Sequence, residues 1–150
     1  MKSFYYVIDK LKTELLTIPF VSTVTEGAIN DVDMAKQTIY PLSHIMVNSA
    51  RLTSNTIVFN VSILSMDIVD YSKELTTDIF IGNDNTQDIL NEQLIVQARL
   101  IKSLSTGDLS EYLELLGEAT SEPFSDRFEH TLAGWTVTFD VVIPNEMSVC

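Results

Sequence analysis

The sequence predicts a single α+β domain over residues 1–150: an antiparallel β-sheet with a long hairpin, flanked by two α-helices. Three observations carry this. Two stretches, near the start of the chain and around residues 85–107, space their apolar residues at the helical period. Two others, within 38–70 and 135–143, alternate at the period of two that a strand requires. Of the 150 residues, 45% are hydrophobic, enough at this length to bury a core without disulfides or metals.

In the first helix Phe4, Val7, Ile8, Leu11 and Leu15 form one apolar stripe. Ser3 stands at the N-cap position and Pro19 marks the end. Residues 20–25 read as a short strand and Glu26-Gly27 as a turn. Residues 29–37 have no clear period and read as a loop or a short helix. In the hairpin, Leu42, His44, Met46 and Asn48 share one face, and Ser43, Ile45, Val47 and Ser49 the other. Thr53-Ser54-Asn55 makes the turn, after which Ile57, Phe59, Val61 and Ile63 alternate with Val58, Asn60, Ser62 and Leu64.

The second helix opens on the cap cluster Asp84, Asn85 and Thr86. Its stripe is Ile89, Leu90, Leu94, Val96, Leu100, Ile101 and Leu104, and it ends at Gly107. Asp84, Asp88 and Glu92 near its start, with Arg99 and Lys102 near its end, complement the helix dipole. Residues 108–120 fit either a short helix through Leu109, Leu113 and Leu116 or a strand; a strand from about Tyr112 is favoured, broken at Glu122-Pro123. Gly134 then precedes a strand that places Trp135, Val137, Phe139, Val141 and Ile143 on one face and stops at Pro144.

Charge narrows the function. Twenty-one acids against nine bases give −12, which argues against affinity built on neutralising phosphates. The excess is uneven: zero over residues 1–66, −6 over 67–92, +2 over 93–102 and −8 over 103–150. The single cysteine, Cys150, excludes an internal disulfide framework and a Cys-rich zinc module. Asp9, Lys10, Lys12 and Glu14 interrupt the N-terminal apolar positions, so no secretory signal is expected. The longest uncharged stretch, 52–66, carries Thr, Ser and Asn throughout, so no membrane span is expected.

Candidate chemistry is sparse. His44 lies in an apolar strand pattern and reads as a buried histidine with a backbone partner. His130 follows Asp126 and Glu129, which allows a carboxylate–histidine pair, whereas Cys150 at the last position is a poor place to pre-organise a nucleophile. Counted from Asp84 as a calcium loop, the sixth and twelfth residues are Ile89 and Ile95, where Gly and Glu are required. Gly82 and Gly107 stand alone, so no phosphate loop is present. No catalytic, cofactor-binding or metal-ligating set is therefore expected, and the chain reads as a non-enzyme. The alternative is a small α+β hydrolase or ligand-binding domain using His130 with Asp126 or Glu129.

Three strings carry a family resemblance. They are Asp33-Met34-Ala35-Lys36-Gln37-Thr38-Ile39-Tyr40-Pro41-Leu42-Ser43-His44-Ile45, Asn85-Thr86-Gln87-Asp88-Ile89-Leu90-Asn91-Glu92, and Glu122-Pro123-Phe124-Ser125-Asp126-Arg127-Phe128 running into Leu132-Ala133-Gly134-Trp135 and Phe139. With the order of elements, they resemble the tail terminator or tail completion proteins of tailed bacteriophages, including the crAss-like group and other phages of Bacteroides-type hosts. The resemblance implies a structural subunit of the virion, assembled in the host cytoplasm. It also implies a homo-oligomeric ring of six or twelve copies in the neck or tail, contacting other neck and tail proteins. DNA would pass through it without tight binding, and no cofactor or membrane is involved. The family has no active site, so no catalytic residues carry over.

Two surfaces follow. Residues 56–70 form a fifteen-residue second strand, which at about 3.3 Å per residue reaches about 50 Å. A body with a radius of gyration near 15 Å cannot hold that length, so the strand is expected to break at a bulge near Met66-Asp67 or the tip to project. The arm over 48–59 is then expected to pack on, or add strands to, a neighbouring subunit through Val47, Arg51, Val58 and Phe59. The acids Asp108, Glu111, Glu114, Glu118 and Glu122 are expected to face the channel or outer solvent.

Overall fold

A computed structural model describes residues 4–28, 39–69, 85–127 and 132–146. The elements are α1 (Phe4–Leu16), β1 (Thr23–Glu26), β2 (Leu42–Leu52), β3 (Thr56–Ile68), α2 (Thr86–Thr106), a 3-10 turn (Asp108–Glu111), β4 (Glu114–Arg127) and β5 (Leu132–Pro144). The strands form one open sheet in the order β1-β2-β3-β5-β4. The fold is α+β, with two helices and a mixed sheet in which three of the four pairings are antiparallel. The exception is β1, which lies parallel to β2 and pairs Thr23 with Leu42 through Glu26 with Ile45. A parallel neighbour needs a long crossover, here residues 27–41. The reading of 29–37 as loop or short helix lies outside the described residues.

One face of the sheet packs against both helices. Val7, Leu11 and Leu15 of α1, with Val96, Leu100 and Leu104 of α2, meet Ile45, Phe59, Val61, Ile63, Val137, Phe139, Val141 and Ile143. The alternation expected for β3 and β5 holds along both strands, because they pair without a break from Thr56 opposite Pro144 to Ile68 opposite Leu132. A smaller cluster of Tyr40, Leu42, Leu64, Met66 and Leu132 sits on the other face.

Several expectations are corrected. Met66-Asp67 carries no bulge; the irregularity lies in β2, where Asn48 is the extra residue between Val47 and Ser49. A bulge reverses the alternation beyond it, so Ser49 and Arg51 share the face of Met46, not that of Val47. The tip does not stand clear of the sheet. Asn145, just past β5, donates from its backbone to the Asn55 carbonyl at 2.8 Å and from its side chain to the Thr53 carbonyl at 2.9 Å. Residues 108–120 divide into the 3-10 turn and the start of β4. Glu122-Pro123 does not end β4, because an edge strand has a side on which proline's missing N–H leaves no ladder bond unmade. Gly134 lies inside β5, and its role is close approach. A Cβ there would sit 1.9 Å from the Ser65 carbonyl oxygen and 2.8 Å from the Met66 Cα.

The second helix departs most from its apolar stripe. Leu94 is 40% exposed, while Gln93 and Gln97 face the sheet and are buried. The Gln97 amide nitrogen donates to the Trp135 carbonyl at 2.7 Å, the Ile63 carbonyl at 3.1 Å and the Ser65 hydroxyl at 3.3 Å. Its carbonyl accepts from the Ser121 hydroxyl at 2.5 Å. Trp135 returns an indole N–H to the Leu90 carbonyl at 2.7 Å. Gln93, one turn earlier, has neither amide atom partnered among the described residues.

The two glutamines therefore predict opposite outcomes for one substitution. Gln97→Leu strands buried partners and should cost about 1–3 kcal/mol, whereas Gln93→Leu removes an unpaired buried amide and should be neutral or stabilising. Denaturant unfolding of both variants checks this.

Candidate functional site

The sheet face away from the helices carries a polar ladder across β2, β3 and β5. The bulge turns the Asn48 amide toward β3, where it donates to the Asn60 side-chain oxygen at 2.9 Å and the Ser62 hydroxyl at 2.8 Å. Asn60 donates to Asp140 Oδ1 at 2.8 Å, and the Ser62 and Thr138 hydroxyls lie 3.0 Å apart. Arg51 reaches Asp140 Oδ2 at 3.4 Å, from a side chain that is 56% exposed. Such an exposed pair contributes little stability, and among the described residues Asp140 is the acceptor for the guanidinium. The ladder satisfies itself, so what it does chemically is hold three strands in register.

His44 is fully buried at the start of β2. Its Nε2 donates to the Gly27 carbonyl at 2.9 Å, and its Nδ1 shares a hydrogen bond with the Thr25 hydroxyl at 2.7 Å. The imidazole is engaged on both sides, clamping β1 to β2, and it is the histidine with a backbone partner expected from the sequence. The other histidine site is not placed: Glu129 and His130 lie outside the described residues, and Asp126 is described only as part of β4.

The expected interface residues do not form one surface. Phe59 is 5% exposed and belongs to the core beneath the helices. Val58 is 9% exposed on the opposite face. Both are buried within their own chain, in a strand that β5 flanks along its whole length. Val47 is half-buried against the core, and only Arg51 stands out in the solvent. By contrast Asp108, Glu111, Glu114, Glu118 and Glu122 are all exposed, three of them along edge strand β4.

Two open sheet edges emerge that the sequence pattern did not single out. Strand β1 covers β2 only from Leu42 to Ile45, and Gly27 then turns the chain away at φ +107°, a conformation L side chains rarely adopt. Beyond it, among the described residues, no strand lies beside 46–52. Phe4, Glu26, Gly27, Met46, Val47 and Asn48 line a groove there. At the far side of the sheet β4 is the second open edge among the described residues. Among the described residues no group of acidic, histidine or cysteine side chains could hold a metal ion, and no helix is long and apolar enough to cross a membrane. Compared with known proteins, the chain matches no family model and no curated protein.

One titration stands out near the end of β3. Burial pushes the Asp67 carboxyl above its ordinary 3.8, and the backbone N–H of Ile68, which donates to it at 2.8 Å, opposes the shift only in part. A raised folded-state value means this group favours the fold below pH 3.8 and loses that contribution as pH rises through the folded value. Asp67→Asn should therefore melt higher than the unaltered protein at pH 7, with the difference closing toward pH 4. Paired thermal melts across that range check the sign.

Proposed function

We propose that this chain is a structural subunit of a tailed-phage virion, assembling with copies of itself into a ring in the neck or tail through which DNA passes. The observation that carries the proposal is an open sheet which, among the described residues, has an unpaired edge on each side, one of them lined with acids. A subunit with two different exposed edges suits a head-to-tail contact, and such a contact repeated around an axis closes into a ring when the rotation permits. The resemblance of residues 33–45, 85–92 and 122–128 to tail terminator and tail completion proteins adds the setting. In that setting the acids Asp108, Glu111, Glu114, Glu118 and Glu122 face the channel, outer solvent or an oppositely charged neighbour. A wall of this kind offers phosphates no counter-charge, so DNA slides along it.

Light scattering or native mass spectrometry at rising concentration tests the proposal. A closed oligomer of six or twelve copies is expected, with no measurable duplex-DNA binding at physiological salt. A monomer at every concentration, or a tight and salt-sensitive complex with DNA, contradicts it.

A further inference from the structure

Resting on the reading of the chain as a self-assembling subunit, we infer that the joint between copies is a strand pairing: residues 46–52 of β2 in one copy against the outer edge of β4, from Glu114, in the next. Direction comes first. In the order β1-β2-β3-β5-β4 the last three pairings along the sheet are antiparallel, so β4 runs opposite to β2. A neighbour whose strands keep the same sense therefore brings β4 antiparallel to β2, and the sheet continues without reversal.

Height comes second. Arg51 is level with Val58, Val58 with Val142, and Val142 with Glu114. Ser49 is level in the same way with Asn60, Asp140 and Leu116. Carried across the joint at constant height, Arg51 faces the neighbour's Glu114 and Ser49 faces Leu116. The lower half of β2 is already taken by β1, which confines the joint to the half where these pairs stand.

Charge and exposed apolar area come third. Arg51 is the only formal charge between residues 37 and 66, while β4 exposes Glu114, Glu118 and Glu122. Joining β4 to a second β4 sets acids against acids, and joining β2 to a second β2 leaves the acidic edge uncovered. The unlike pairing sets Arg51 against Glu114, and like charges directly opposite across strands are destabilising. Leu116, 46% exposed, lies in the joined stretch level with Ser49, and Leu52, 73% exposed, stands at its end on the other face of the sheet.

The test is a charge swap read by native mass spectrometry. Arg51→Glu and Glu114→Arg should each abolish the assembled mass, and the double variant should restore it. A second pair guards against misfolding: Ser49→Cys with Leu116→Cys, in a Cys150→Ser background, should give a ladder of covalent oligomers on oxidation, while either single cysteine gives dimers at most. Assembly indifferent to both charge reversals, or an intact ring with no covalent ladder, overturns the strand joint and leaves the subunit reading standing. An unaltered protein that never assembles overturns both.

Discussion

The carboxamide of Gln97 fixes the architecture. It is one buried side chain, 2% exposed, that bonds to β3, β5 and β4 together. Water is excluded there, so each of these bonds must be made within the protein or leave a buried polar group unsatisfied. That requirement sets the position of α2 along the sheet and places Leu100 and Leu104 over the same strands, where α1 then completes the cover. Both helices are thereby committed to one face, and the other face and the two edges are left for other work.

The opposite face is held by a different device. Between β2, β3 and β5 the side chains of Asn48, Asn60, Ser62, Thr138 and Asp140 bond across the strands, so that register rests on polar pairs where the helix face relies on apolar packing. A one-residue slip would separate these pairs and turn the apolar set of β3 out of the core. The bulge at Asn48 belongs to this scheme. It delivers the amide to Asn60 and Ser62 and also turns Arg51 onto the face where it meets Asp140.

Much of this was legible in the sequence. The stripe of α1, the alternation of β3 and β5, the end of α2 at Gly107 and the α+β class follow from period and punctuation alone. What stayed hidden depended on distant partners. Gln93 and Gln97 stood outside the apolar stripe because nothing local announces the strand carbonyls that receive Gln97. Pro123 read as a strand breaker because proline is tolerated only at a sheet edge, and edge position is a property of the whole sheet. Phe59 and Val58 read as part of a projecting arm because the strand that pairs beside them, β5, comes more than seventy residues later in the chain. Arg51 was recognisable as a lone charge, but its height relative to Glu114 required all three ladders. Resemblance supplied the setting of the candidate function, whereas the two unlike edges supply its physical basis.

Both edges are blunted in the ways that protect open sheets from indiscriminate pairing, β4 by acids and an irregular register, β2 by a bulge and an arginine. In the proposed strand joint, protection against wrong partners and selection of the right one would use the same residues, because the charge that repels a like edge attracts the unlike one. Amide hydrogen exchange, compared between dilute monomer and concentrated assembly, addresses this most directly. Edge pairing predicts that new protection concentrates in peptides covering 46–52 and 114–120. Assembly that leaves both stretches exchanging as in the monomer, or a monomer in which the amides of 46–52 that point away from β3 are already protected, contradicts it.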